Sequence, residues 1–191
     1  DKVIVPSSMN TFRNFKDSNL DQMRCAVIFR EPYNDIEPDG NPLSCFLGHT
    51  IHPMINMWHD AMEEEFYGLN LHILKDHTLD HLLEQDVFLH NADLTVFRKT
   101  PGSHKDVWKD FTTHVLKILI ARKIPVMFIG QDVKDRFDVF PKNYPVFCVP
   151  ESLHDAKIQW RCNGEFRKMN EYIEQHTDYY DPQWVNMDVP F

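Results

Sequence analysis

The stretch that decides the fold is residues 91–112, which read NADLTVFRKTPGSHKDVWKDFT. A short apolar run, residues 87–90, stands directly before it and predicts a buried strand. Residues 105–121 overlap its end and predict an amphipathic helix. The apolar face of that helix would be formed by Val107, Phe111, Val115, Ile118 and Leu119. A strand that runs through a polar turn into a helix is typical of an α/β fold.

The same alternation continues along the rest of the chain. Three more short apolar runs predict buried strands, at residues 25–29, 126–129 and 146–149. Helical spacing is found at residues 54–66, 79–84 and 165–175. We therefore expect a single domain over residues 1–191, with three αβα layers around a central, four-stranded, mostly parallel sheet.

Composition and charge exclude several classes of protein. The formal net charge of −9 disfavours general, charge-driven DNA binding, because affinity for phosphate comes mainly from Lys and Arg. No run approaches the roughly 18 apolar residues that predict a membrane span, so no membrane partner is expected. The four cysteines, which form no CxxC pair, favour reduced thiols in an intracellular protein, either cytoplasmic or in the nucleoid or nucleus.

Four short segments follow the predicted strands. In open α/β sheets, ligands bind outside the carboxyl ends of the strands, so these segments are the place to look for a site. They are residues 30–34, 91–96, 130–132 and 150–154.

These segments, in this order and at these intervals, resemble the active-site loops of the most widespread family of uracil-DNA glycosylases. Residues 30–34 take the place of the family's Q-D-P-Y-H loop, and residues 91–96 resemble the end of its L-L-N-x-x-L-T-V strand. Residues 103–112 follow its S-H-K…W-x-x-F-T pattern. Further matches at Phe12–Phe15, Ser44–Phe46, Ile51–Pro53 and Arg161–Trp184 extend the resemblance almost from end to end.

The resemblance implies a pocket for a flipped base. Asn91 holds the place of the Asn that reads the uracil edge, since an amide can donate and accept hydrogen bonds together. Phe46 fits the Phe that stacks on the base, and Tyr33 fits the Tyr that excludes thymine. Each also has a structural alternative: core packing for Phe46, packing behind Pro32 for Tyr33, and a turn or cap for Asn91.

The groups that cut the glycosidic bond in the family are altered. Its water-orienting Asp becomes Glu31, and a displacement near 1 Å can lower a rate about a hundredfold. Its catalytic His becomes Val149, and losing one such donor typically lowers a rate about 10² to 10³-fold. His154 is a weak substitute, because it lies displaced along the loop, as does Glu151.

The loops that grip DNA in the family are altered as well. Glu151 brings an anion to the fourth loop, and Leu153 stands where the family has its base-displacing leucine, although a lone Leu is more often packing. The resemblance places the DNA contacts at Pro53, Gly130, Gln131, Ser152 and Leu153. Serines that approach phosphates in the family are absent from the Pro53 and Gly130 loops.

The first hypothesis is therefore a catalytically impaired glycosylase homologue, of viral or phage type, that binds DNA or a uracil-like base as an accessory factor. A second is an active glycosylase with Glu31 as its carboxylate, and a third is a scaffold for a replication or repair protein. A binder of 5-modified pyrimidines is disfavoured by Tyr33. No cofactor and no metal are expected, since the histidines at 72, 77 and 81 fit a solvated helix face better than a metal site.

Overall fold

The computed structural model describes residues 2–8, 10–16, 18–34, 53–68, 79–155 and 159–185. Within these ranges the elements in chain order are β1 (Ile4–Val5), α1 (Arg13–Lys16), β2 (Cys25–Phe29), α2 (Pro53–Tyr67), α3 (Asp80–Leu83), β3 (Val87–Asn91), β4 (Val96–Phe97), α4 (Lys109–Ala121), β5 (Val126–Ile129), α5 (Gln131–Lys134), β6 (Val146–Val149) and α6 (Glu165–His176).

The central sheet has four parallel strands in the order β3-β2-β5-β6. This confirms the expected fold class. Every residue of β2, β3 and β5 is buried, which explains why these strands appear in the sequence as continuous apolar runs rather than as alternating patterns. Because all four strands are parallel, their carboxyl ends meet at one edge of the sheet.

Two apolar clusters lie on opposite faces of the sheet. One face carries Val27 and Phe29 and is covered by α2 and α6, with Trp58 and Phe166 at its centre. The other face carries Ala26 and Ile28 and is covered mainly by α4. Side chains that alternate along each strand supply both clusters, which gives the three layers.

Helix α4 differs from its prediction. It begins at Lys109 rather than at residue 105, because residues 101–107 form turns. Its buried face consists of Thr112, Val115, Leu116 and Leu119. The predicted apolar face was wrong at three positions, with Val107 69%, Phe111 36% and Ile118 44% exposed. The hydroxyl of Thr112 donates to the Ala92 carbonyl at 2.8 Å, so this polar residue can lie against the sheet beside Val115, Leu116 and Leu119.

A second, two-stranded sheet was not predicted. It pairs β1 with β4 in antiparallel register, Ile4 with Phe97 and Val5 with Val96. Strands of two residues are too short for a periodic pattern to reveal them. In the described part of the chain, no helix has the length and apolar character needed to cross a membrane.

Candidate active site at the carboxyl edge of the sheet

The ends of the four parallel strands bring the predicted residues to one edge. Asn91 is paired with Phe29 across β3 and β2, and Val149 is paired with Ile129 across β6 and β5. Val87 and Leu89 belong to the cluster under α2 and α6, so alternation places the Asn91 side chain on that face, where Val149 also lies. At about 4.8 Å per strand, their Cα atoms are roughly 14 Å apart, a span that two inward-reaching side chains and a pyrimidine ring can fill.

Glu31 lies immediately beyond the end of β2 and is fully buried. Its Oε2 accepts a hydrogen bond from the Gly102 amide at 2.7 Å, while its Oε1 has no hydrogen-bond partner among the described residues. Burial raises the pKa of Glu31, and the Gly102 hydrogen bond and the Arg30 charge act in the opposite direction. The carboxyl is thus oriented by one backbone donor and shielded from water.

The stretch 91–112 holds the first loop in place. The Lys99 amide donates to the Asn34 carbonyl at 2.8 Å, next to the Gly102 contact with Glu31. The loop that carries these two donors is itself tied down, since Ser103 Oγ accepts from the backbone amide of Phe97 at 2.8 Å. Residues 97–103 of this stretch therefore supply the backbone contacts that position the candidate catalytic carboxyl.

Buried polar contacts support that loop from below. Thr95 Oγ1 lies 2.8 Å from Nδ1 of His104 and accepts a 2.7 Å hydrogen bond from Nε1 of Trp108. The His104 ring also packs edge-on against Phe97, with centroids 4.4 Å apart. His104 therefore serves to hold the loop that supplies the Gly102 amide.

The predicted base-binding residues are partly within the described structure. Asn91 is 4% exposed, and its Oδ1 has no hydrogen-bond partner in the described ranges. A buried amide oxygen of this kind is rarely left without a donor, so it is available to accept a hydrogen bond from a water or a ligand N–H. Tyr33 is half-buried against the apolar cluster under α2 and α6. Phe46 lies outside the described residues.

The end of β6 offers no imidazole. Val149 is fully buried within the apolar cluster. His154 stands farther along the loop, where it lines a cleft together with Arg30 and Asp93. Val149, and not His154, is the residue at the end of the strand.

The predicted DNA-contacting residues are mostly engaged within the protein. The amide of Gly130 donates to the Val149 carbonyl and that of Gln131 to the Pro150 carbonyl, both at 2.8 Å. The Gln131 side chain donates to Asp135 at 2.7 Å. Leu153 is 1% exposed in the core and would have to leave it to enter a duplex. Ser152 is 3% exposed, with its hydroxyl 3.3 Å from the His154 amide, and Pro53 begins α2.

A cleft of about 740 Å³ opens beside Glu31 at this edge. Its lining contains as many cations as anions. The cations are Arg30, Lys105, Lys109 and Arg136, and the anions are Asp93, Asp106, Asp132 and Asp155.

Ion pairs cross this cleft, and the sequence did not predict them. Arg136 binds both oxygens of Asp93, at 2.5 and 3.1 Å, although Asp93 is 1% exposed. Burial raises the pKa of Asp93, and the two hydrogen bonds from Arg136 oppose that rise. Arg30 binds Asp155 at 3.0 Å and lies 3.8 Å from Asp132. The partners in each ion pair are far apart in sequence, so the spacing of charged residues could not predict which of them meet. The sequence shows only that a cation, Arg30, precedes Glu31.

In the described ranges, no three His, Cys, Asp or Glu side chains are grouped as a metal site. At this edge, Glu31 Oε1 and Asn91 Oδ1 are buried acceptors without a hydrogen-bond partner among the described residues, whereas both oxygens of Asp93 are held by Arg136. Such an edge can orient a water through a carboxyl and pair with a donor on a base, but it supplies no imidazole at the end of β6.

Comparison with known proteins gives these residues a context. A scan against protein-family models found no match. A uracil-DNA glycosylase of Dictyostelium discoideum is 35% identical over 91% of this chain, which spans only 51% of that protein's length. A uracil-DNA glycosylase of Francisella tularensis is 32% identical, and the match covers 93% of this chain and 82% of the relative.

The fold has a counterpart among solved structures. The crystal structure of mimivirus uracil-DNA glycosylase superposes with a TM-score of 0.75, covering 97% of this chain and 76% of the other, at 17% identity. At that identity the likeness concerns the fold. The identity to the Francisella protein, over most of the length of both chains, is the stronger finding. The chain belongs to the uracil-DNA glycosylase family.

Proposed function

We propose that this protein binds uracil-containing DNA at the carboxyl edge of its sheet and cleaves the N-glycosidic bond slowly at best. The observation that carries the proposal is Val149, a fully buried apolar side chain at the end of β6, where the family has an imidazole. Charge that develops on the departing uracil would there meet methyl groups instead of a hydrogen-bond donor. An absent donor of this kind typically lowers a rate about 10² to 10³-fold.

Base recognition is supported by the state of Asn91. Its buried Oδ1 lacks a donor in the described residues, and uracil N3–H is a donor of the right kind. Tyr33 packs on the same side of the sheet, in the place of the ring that excludes a 5-methyl group. We propose that these two residues form the described part of a pyrimidine pocket.

Release of uracil from a single-stranded oligonucleotide under single-turnover conditions tests the cleavage half of the proposal. Val149→His should accelerate release about 10²-fold, because it restores a donor at the strand end. Val149→Ala is the matched control, since it changes the same residue without adding a donor, and it should give no acceleration. Rapid release by the unaltered protein, with no gain from Val149→His, would refute slow cleavage.

Fluorescence anisotropy with matched uracil and thymine oligonucleotides tests the binding half. Asn91→Ala should weaken binding of the uracil strand about tenfold, the loss expected from one or two hydrogen bonds, and leave the thymine strand unaffected. Asn143→Ala, at an exposed turn remote from the sheet edge, is the control. Equal affinity of the unaltered protein for the two strands would count against a uracil pocket.

A working glycosylase with Glu31 as its catalytic carboxylate is the second candidate. The Gly102 hydrogen bond to Oε2 favours it, because it leaves Oε1 able to accept from a water. Burial raises the pKa of Glu31, so the release rate should climb with pH through a value above that of an ordinary glutamate. Under this hypothesis Glu31→Gln abolishes release, whereas residual release that persists in Glu31→Gln would rule it out.

A further inference from the structure

Arg30 is held by carboxylates from two other loops. Its guanidinium lies 3.0 and 3.4 Å from the two oxygens of Asp155, beyond β6, and 3.8 Å from Asp132 in α5. The Arg30 side chain is 20% exposed, whereas those of Asp132 and Asp155 are 56% and 59% exposed. One half-buried cation therefore faces two solvated anions, and contacts of that kind exchange readily.

The other cations of the cleft are placed differently. Arg136 is bound to the buried Asp93 and also donates to the Lys105 carbonyl at 2.8 Å, so it is committed to the protein. Lys105 and Lys109 are exposed at the rim. Arg30 alone, among the four lining cations, combines a fixed position with partners that can leave.

A carboxylate offers a guanidinium two oxygens in the same fork that a phosphate offers. The two contacts to Asp155 have this paired geometry. Arg30 is also the residue before Glu31, so an anion bound to it would lie beside the candidate catalytic carboxyl.

We propose that Arg30 is the residue that binds a DNA backbone phosphate in this cleft, and that Asp155, assisted by Asp132, occupies its guanidinium until DNA displaces it. The proposal deepens the proposed function, on which it rests for the identity of the polymer. Because DNA must displace the Asp155 carboxylate from Arg30, the strength of that ion pair lowers the affinity for DNA.

Binding of a labelled twelve-nucleotide thymine strand, measured by anisotropy between 50 and 200 mM NaCl, tests this. Asp155→Asn should tighten binding about threefold, because the guanidinium no longer has to be released from a carboxylate. Arg30→Gln should weaken binding about fivefold and reduce the slope of log K against log salt by about 0.7, the value for one phosphate on a single strand.

The decisive comparison is the double variant. In an Arg30→Gln background, Asp155→Asn should add only a small gain. That gain should equal the one produced by Asp106→Asn, which removes the same charge from the lining of the same cleft at a residue outside the ion pairs of Arg30 with Asp132 and Asp155. An equal gain from Asp155→Asn with and without Arg30 would overturn the proposal. So would an unchanged salt slope in Arg30→Gln, or the absence of binding by every variant at 50 mM NaCl.

The strand in this experiment contains no uracil, so the outcome is separable from that of the base pocket. If the protein does not distinguish uracil from thymine, but the gain from Asp155→Asn still depends on Arg30, only the proposed function is wrong. If the protein distinguishes uracil through Asn91, but the gain from Asp155→Asn is the same with and without Arg30, only the present proposal is wrong.

Discussion

Replacing Arg136 by methionine should expose how the buried ion pair of the cleft contributes to stability. The change keeps the aliphatic stem but leaves the Asp93 carboxylate 1% exposed, without the two hydrogen bonds at 2.5 and 3.1 Å. Removing one partner of a buried pair typically destabilises a protein by about 3–5 kcal/mol. The Arg136 side chain is 20% exposed, which places the expected loss at the lower end, about 3 kcal/mol at pH 8.

The loss should depend on pH in a defined direction. Burial raises the pKa of Asp93, and without Arg136 that pKa rises further. The folded variant then retains a proton that the unfolded chain releases, so it loses stability as pH rises from the ordinary aspartate pKa through the raised one. At pH 5 the expected loss of unfolding free energy is therefore smaller, about 1–2 kcal/mol.

Urea unfolding at both pH values, with melting temperatures alongside, measures this effect. A loss of about 3 kcal/mol corresponds to a fall of about 6–12 °C in a chain of this size. Arg122→Met is the control, because its pair with Asp21 is 50% and 77% exposed and should contribute no more than about 1 kcal/mol. Adding Asp93→Asn to Arg136→Met should recover part of the loss. A loss below about 1 kcal/mol at pH 8, or one equal at the two pH values, would refute the reasoning.

Three further substitutions test the geometry around the site. Burial raises the pKa of Glu31, so ionisation of this side chain opposes folding. Glu31→Gln should therefore stabilise the protein by about 0.5–2 kcal/mol at pH 8 and give no gain below the ordinary glutamate pKa. A gain in urea unfolding that is independent of pH would contradict this. Gly130→Ala should destabilise by about 3 kcal/mol, because L residues rarely adopt a φ of +115° and the added Cβ would lie 3.3 Å from both Ser152 Cβ and Val133 Cγ2. Gly102→Ala, with φ of +68° and no atom within 4 Å of the new Cβ, should destabilise by only about 1 kcal/mol in thermal melts; equal losses for the two glycines would mean that the close contact is unimportant.

Strands β2, β3 and β5 could be predicted from sequence because burial on both faces makes them nearly continuous apolar runs. The main deviation is at β3, which continues to Asn91, one residue beyond the apolar run. A polar residue at the end of a buried strand looks like the start of a loop, yet Asn91 pairs with Phe29 inside the ladder. The candidate base-reading side chain is therefore fixed by the sheet itself.

The start of α4 could not be predicted, for a different reason. Val107 and Phe111 fit a helical apolar spacing with Val115, but residues 101–107 are turns, and Phe111 packs edge-on against Phe12 at 6.0 Å near the surface. An apolar residue at helical spacing can pack against a ring at the surface, as Phe111 does against Phe12, and so need not face the core. Val115, Leu116 and Leu119 face the sheet, and Thr112 lies among them because its hydroxyl has a hydrogen-bond partner there.

Most of the site could be located from the rule that ligands bind at the carboxyl ends of parallel strands, since Glu31, Asn91 and Val149 all lie there. The ion pairs could not, because they join residues such as Arg30 and Asp155, which are 125 positions apart. Pairing of this kind depends on the register of the finished sheet. The sequence shows the charges and not which of them meet.

The charge balance of the cleft changes what DNA binding by this chain must depend on. Four anions offset its four lining cations, and the formal net charge of the whole chain is −9, so long-range attraction to phosphate is weak. Backbone amides at Gly130 and Gln131 are already used within the protein. Under the proposed function, affinity therefore has to come from short-range contacts, namely the Asn91 amide on a base and a cation freed from its internal partner. A protein built this way should bind a strand more tightly where an extruded base fits its pocket than along DNA that offers no such base.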